Sequence, residues 1–153
     1  MHSNVKDLYD STSHNYDKRH ENPTAKYARK KEFSMVKKYS SGRILDIGCG
    51  TGEHLKLVGG FGTDISYNMI MEARKKSSLQ FVQSNAEGLP FSRESFDTVL
   101  CMFSVLNLCD FDKAICEMKR VLKTGGTSVV SVSSLLDRFD NPTFSAKSKS
   151  MRI

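Results

Sequence analysis

The chain has 153 residues, 39% hydrophobic and 26% charged, the composition of one globular domain with enough apolar content for a core. It contains no apolar run of membrane-spanning length and opens on no apolar signal region, so it reads as a cytoplasmic protein. The net charge of +6 lies in the flanks: residues 1–43 hold 10 Lys/Arg against 5 Asp/Glu, residues 44–136 hold 9 against 10, and residues 137–153 hold 4 against 2.

Residues 1–22 are polar, with Tyr9, His14, Tyr16 and Arg19 interspersed. Asn22-Pro23 opens a helix that runs to about Tyr39, since proline suits a first helical turn. Tyr27, Ala28, Phe33, Met35 and Val36 give it a broken apolar stripe, and the basic run 29–31 faces water. Ser40-Ser41-Gly42 ends it. Residues 43–47 then read as a buried strand running into Gly48-Cys49-Gly50-Thr51-Gly52. Three glycines at alternate positions let the backbone approach a ligand, with N–H groups of the following helix directed at it. Asp46 is expected to face the same crevice, where open α/β sheets bind their ligands. The spacing is G-x-G-x-G; Glu53 occupies the third-glycine place of a dinucleotide fingerprint, and no G-x-x-x-x-G-K-[ST] phosphate loop occurs.

Asp46, Gly48, Gly50 and Gly52 match D-x-G-x-G-x-G, the first motif of the class I S-adenosylmethionine (SAM)-dependent methyltransferases. The chain resembles that family, in particular the subgroup that includes ubiquinone-biosynthesis C-methyltransferases. The plainer alternative is a tight turn with no ligand; the later motifs, found in family order, weigh against it. The resemblance implies an α/β, Rossmann-like, doubly wound and mostly parallel sheet in the order 3-2-1-4-5. It implies SAM as cofactor and S-adenosylhomocysteine (SAH) as product, with Cys49 among the contacts of the glycine turn. Upstream, Tyr9-Asp10-Ser11-Thr12-Ser13-His14-Asn15-Tyr16-Asp17 resembles a segment whose tyrosine closes over the cofactor, here Tyr16.

Residues 53–57 read as a short helix broken by Val58-Gly59-Gly60, with His54 on its surface or in its packing. Residues 61–65 are the second strand. Gly62-Thr63-Asp64-Ile65-Ser66 resembles the family's G-x-D-x-S, which places Asp64 and Ile65 at the cofactor, the Asp64 carboxylate accepting from both ribose hydroxyls. A solvated or helix-capping Asp64 is the alternative. Ser66 caps a helix over 67–76 with Met69, Ile70 and Ala73 on its buried side. The resemblance adds Met69 to the adenine site. Residues 79–83 are the third strand. Asn85-Ala86-Glu87-Gly88-Leu89-Pro90-Phe91 resembles D-A-E-x-L-P-F and implies adenine contacts at Asn85, Ala86 and Glu87. Asn85 replaces an aspartate, keeping an acceptor oxygen without the charge.

Residues 95–103 are the fourth strand, similar to the family's S-F-D-x-V, with Asp97 anchoring its start. Met102 and Phe103 stand at its end, where the methyl group would be presented. No histidine lies near Asn107, where many relatives carry one, and no catalytic base is assigned. Asp110 caps a helix whose apolar face is Phe111, Ala114, Ile115, Met118, Val121 and Leu122. Lys123-Thr124-Gly125-Gly126 ends it before a fifth strand over 127–132. Cys49, Cys101, Cys109 and Cys116 form no C-x-x-C pair; reduced, mostly buried thiols and no metal site are expected.

These elements divide the chain into an N-terminal segment and helix over 1–41, a methyltransferase domain over 42–136 and a basic tail over 137–153. Relatives continue past strand five with a helix and two further strands. This chain is expected to lack strands six and seven, with Met151-Arg152-Ile153 at most the start of one. Strand five would then be an open edge for a second copy or a partner subunit. Three functional readings follow: methyl transfer to a small molecule, methyl transfer to RNA (transfer RNA) through the basic N-terminal helix, and a non-catalytic or partner-dependent SAM-binding module.

Overall fold

The computed structural model describes residues 2–20, 23–103 and 105–132. Its strands β1 (Ile44–Ile47), β2 (Phe61–Asp64), β3 (Gln80–Gln83), β4 (Phe96–Cys101) and β5 (Leu122–Val130) form one parallel sheet ordered β3-β2-β1-β4-β5. Helices α1 (His2–Thr12), α2 (Pro23–Tyr39), α3 (Leu55–Val58), α4 (Tyr67–Lys76) and α5 (Phe111–Val121) flank it. Short 3-10 turns lie at Ser13–Asn15, Asp17–His20 and Val105–Asn107. This is the doubly wound sheet, in the strand order, that the sequence implied. The expectations for residues 137–153 lie outside the described residues. No helix among the described residues is long and apolar enough to cross a membrane.

β1 is buried at all four positions because strands flank both its edges and helices cover both faces. Successive side chains of a strand point to opposite faces, so the core divides in two. On one side Leu45, Ile47 and Val99 pack with Phe96, Ala114, Met118 and Val121 under α5. On the other, Ile44 and Leu100 pack with Val36, Leu55, Ile70 and Ala73 under α2, α3 and α4. Phe61, Phe91 and Phe96 meet edge to face, and the Arg43 guanidinium lies 4.7 Å from the Phe61 ring centre and 5.2 Å from that of Phe96.

Helix ends follow the expected chemistry. Ser66 Oγ accepts the Met69 N–H at 3.1 Å and Asp110 Oδ1 accepts that of Lys113 at 3.2 Å, each satisfying an orphan donor of a first turn. Asp97 fixes the start of β4, its Oδ2 accepting the Arg43 N–H at 2.7 Å.

Several boundaries differ from expectation. The third helix is the single turn 55–58, not 53–57, and Phe111 is exposed. Leu122 opens β5 opposite Phe96 instead of closing the apolar face of α5, and the ladder resumes at Thr98↔Thr127. Residues 123–126 bulge between these pairs; a side chain at Gly126 would start 2.9 Å from the Asp97 carbonyl oxygen. Of the thiols, Cys49 and Cys101 are buried, Cys109 is half-buried and Cys116 is exposed. Residues 2–12, read as a polar segment, form α1, which packs on α4.

The largest departure is on α2. Tyr27, assigned to its apolar stripe, faces water with the Lys31 ammonium 5.5 Å from its ring centre. The buried row is Ala28, Glu32 and Val36, one turn apart each. Glu32 is 4% exposed, and its Oε2 meets no hydrogen-bond partner among the described residues. Burial pushes its carboxyl up to about 7, against the opposing pull of nearby His54, Ser131 and Arg29.

A raised carboxyl means that the folded state holds its proton more tightly than the unfolded chain, whose carboxyl titrates at 4.5. Its contribution to stability is therefore full below 4.5 and lost as pH rises through about 7. Glu32→Gln should match the natural chain near pH 5 and exceed it near pH 8 by up to about 3 kcal/mol. Urea melts at the two pH values check this, and a stability difference independent of pH would contradict it.

Candidate cofactor and acceptor site

The turn after β1 sets the site. Gly48 and Gly50 adopt φ of +69° and +52°, a region that side chains strongly disfavour. An added Cβ at Gly48 would fall 2.2 Å from Val105 Cγ2, whereas one at Gly50 would meet only Tyr16, at 3.7 Å. Gly50 thus borders open space between the turn and the N-terminal segment. Asp64, at the end of β2, braces the turn: its Oδ2 accepts the Gly50 N–H at 2.8 Å and its Oδ1 that of Ser66 at 2.9 Å. Burial raises the Asp64 carboxyl to about 6 despite these two donors.

A cavity of about 710 Å³, partly continuous with solvent, opens at the C-terminal ends of β1, β2 and β4. Of the thirteen residues expected at the cofactor, nine line it: Tyr16, Gly48, Gly50, Asp64, Ile65, Met69, Asn85, Ala86 and Met102. Four do not. Asp46 is fully buried, its Oδ2 3.5 Å from His54 Nδ1. It shares the α2 side of β1 with Ile44, and Ile47 lines the cavity instead. Cys49 is buried beneath the turn, where its N–H donates to the Thr63 carbonyl at 2.9 Å. The Gly52 N–H closes the turn on the Cys49 carbonyl at 2.9 Å. Glu87 braces α5, its Oε1 accepting the Asp110 N–H at 2.7 Å.

Asn85 Oδ1 already accepts the Glu87 N–H at 3.1 Å, an Asx turn that leaves one lone pair of that oxygen toward the cavity side. The segment is clamped from outside by Glu117 and Arg120. Glu117 Oε2 accepts the Leu89 N–H at 2.7 Å, and Arg120 donates to the Leu89 and Phe91 carbonyls at 2.9 and 2.6 Å.

The N-terminal segment forms a strap over the opening. Val5, Tyr9 and Tyr16 line the cavity from it, the two tyrosine rings 6.1 Å apart. Asp10 Oδ1 accepts from Ser66 Oγ at 2.5 Å and from the Asn68 N–H at 3.1 Å. Asp17 accepts from Thr51 Oγ1 at 2.7 Å and pairs with Lys76. His54, expected on a surface or in packing, is buried against Phe33 and stacks on Phe103 at 6.1 Å. Burial opposes its protonation, but the Asp46 and Glu32 carboxylates raise it above the ordinary imidazole value.

The cavity's far wall is apolar: Phe103, Val105, Leu108 and Cys109. Of these, sequence reasoning reached only Phe103. Val5, Ile47, Ser84, Val105, Leu108 and Cys109 carry no local motif, and tertiary packing brings them in. The apolar periodicity of 105–109 was the one signal present.

Comparison with known proteins bears on the family and the fold. Residues 45–130, more than half of the chain, match the family described as a methyltransferase domain. An uncharacterized protein of Methanocaldococcus jannaschii is 39% identical over 136 residues, covering 87% of this chain and 53% of its own length. The ubiquinone/menaquinone biosynthesis C-methyltransferase of Xylella fastidiosa is 33% identical over 159 residues, covering 92% and 63%. The chain thus spans between half and two thirds of these relatives. Among solved structures, a SAM-dependent methyltransferase of Thermotoga maritima, described as a possible histamine N-methyltransferase, superposes with a TM-score of 0.75 at 27% identity, covering 87% of this chain and 65% of its own. The chain belongs to the methyltransferase domain family.

Proposed function

We propose that this chain uses SAM to methylate a carbon atom of a small, apolar acceptor of the quinone-ring class. The observation that carries the reading is the cavity itself, in which a glycine turn and a buried carboxylate form one wall and apolar side chains the other. The residues fit the cofactor. Gly50 leaves space that a side chain would fill, and Asp64 has lone pairs beyond the two that Gly50 and Ser66 occupy. Those lone pairs suit the ribose hydroxyls. Asn85 Oδ1 and the backbone of Ala86 suit the adenine edge, with Met69 against its face.

When bound, SAM supplies an electrophilic methyl group on a sulfonium. The chain's own residues hold, orient and exclude water. Phe103, Val105 and Leu108 offer apolar surface at the end of β4, where an acceptor ring would lie against the methyl. Holding two reactants in line supplies roughly 7–11 kcal/mol of such a barrier. Burial and the nearby Glu87 and Asp110 charges raise the Cys109 thiol and keep it protonated, an uncharged part of that wall. A neutral electron-rich ring suits such a surface better than an amine, which is cationic at neutral pH and would need a charged partner there; the ring proton displaced by the methyl group would leave to solvent at the open side of the cavity. The name of the Xylella relative supports the quinone class, and that of the Thermotoga neighbour supports an amine. The apolar far wall favours the first and is a poor fit to RNA, whose contacts go mainly to charge and to stacking platforms.

Calorimetric titration with SAH tests the cofactor half. Asp64→Asn should weaken binding by about 10- to 100-fold, the loss of a charged acceptor shared by two hydroxyls. In the natural chain affinity should fall as pH drops through about 6, where Asp64 takes up its proton, and this dependence should vanish in Asp64→Asn. Gly50→Val should abolish binding while circular dichroism shows the fold retained. Unchanged affinity in both folded variants would overturn the site.

The acceptor half is tested with methyl-labelled SAM and three acceptors: a reduced naphthoquinone lacking its ring methyl, histamine and transfer RNA. Label is expected on the quinol carbon alone. Label on histamine or RNA with none on the quinol would overturn the acceptor class.

A further inference from the structure

We propose that Glu32 and Ser131 are positioning residues that act through the backbone of Phe103 to shape the acceptor end of the cavity. The Phe103 N–H donates to Ser131 Oγ at 2.6 Å, and Ser131 Oγ donates its proton to Glu32 Oε1 at 3.1 Å. The Ser131 N–H in turn donates to the Cys101 carbonyl at 3.1 Å. Ser131 therefore grips the chain on both sides of Met102, just where β4 ends and the cavity wall begins.

That grip has strain to hold. Phe103 has φ of +60°, a left-handed conformation uncommon for a residue with a side chain. The conformation turns its ring into the cavity wall and onto the His54 imidazole. A hydroxyl has a single proton. With that proton committed to Glu32, the Ser131 oxygen presents lone pairs to the Phe103 N–H. Remove the carboxylate and the hydroxyl is free to turn.

The position of Glu32 supports the same conclusion. It interrupts the buried row Ala28, Glu32, Val36, where an apolar residue would pack without a desolvation penalty. Departures from patterning of this kind concentrate at functional sites. Arg29 on its own helix, Asp46 on β1 and His54 before α3 are the charged or titratable groups around it. None of these three lines the cavity.

The assignment of this end to the acceptor rests on the function proposed above; the hydrogen-bond relay does not. The test uses the full chain with three variants, Ser131→Ala, Glu32→Leu and Glu32→Gln, each checked for folding by thermal melt. Amide exchange at Phe103, read by NMR without ligand, should be faster by about tenfold in Ser131→Ala and Glu32→Leu, and close to natural in Glu32→Gln, whose amide oxygen still accepts. With the reduced naphthoquinone as acceptor, the first two should raise KM by about tenfold while SAH affinity stays within about twofold, and Glu32→Gln should restore it. Unchanged Phe103 protection in folded Glu32→Leu would overturn the relay, even if Ser131→Ala does not fold. Faster exchange with an unchanged KM would overturn the acceptor role. If no variant or natural chain methylates the quinol, the functional reading fails while the exchange data still decide the relay.

Discussion

One carboxylate joins the two turns on which the site is built. Asp64 accepts an N–H from Gly50 after β1 and another from Ser66 after β2. The glycine turn runs through left-handed conformations that have no ladder of their own to hold them. Without an acceptor at Asp64, the Gly50 N–H would need another partner. The position is electrostatically apt, because Ser66 caps α4 and the positive end of that helix lies beside the carboxylate. Local folding therefore rests on the same two oxygens to which the proposed function assigns the ribose hydroxyls.

Sequence patterns and structure agree where the pattern is local. The strand ending in Asp46-Ile47, the cap at Ser66 and the buried side of α4 are each set by residues a few positions apart. Gly48, Gly50, Asp64 and Asn85, which line the cavity, stand in motifs of the same local kind. Asp46 misled because the motif fixes its place along the strand but not its face; alternation points Ile47 at the cavity and Asp46 at His54. Leu122 satisfies helical spacing and strand chemistry equally, so only pairing with Phe96 decides it. Glu32 was hidden inside the run Arg29-Lys30-Lys31-Glu32, which looks solvated until the helix is rotated against its neighbours. Leu108, Cys109 and Val5 belong to the cavity through packing alone.

Behind the cavity, Asp46, His54 and Glu32 form a buried group of charges. Two acids and one base in an apolar core are costly apart and partly compensate together. They link β1, the turn before α3 and α2, on the face opposite that of α5, whose packing is apolar with Arg120 at its edge.

The strap has a consequence for how the site holds a ligand. Its anchors are Asp10 on Ser66 and Asn68 and Asp17 on Thr51 and Lys76, the Ser66 and Thr51 hydroxyls buried and the Asp17–Lys76 ion pair partly exposed. Because Val5, Tyr9 and Tyr16 face the cavity from the strap, a ligand held there would touch strap and sheet alike, and both would share in its affinity. Ionic strength, which screens Lys76 and Asp17, then acts on how firmly that cover is held.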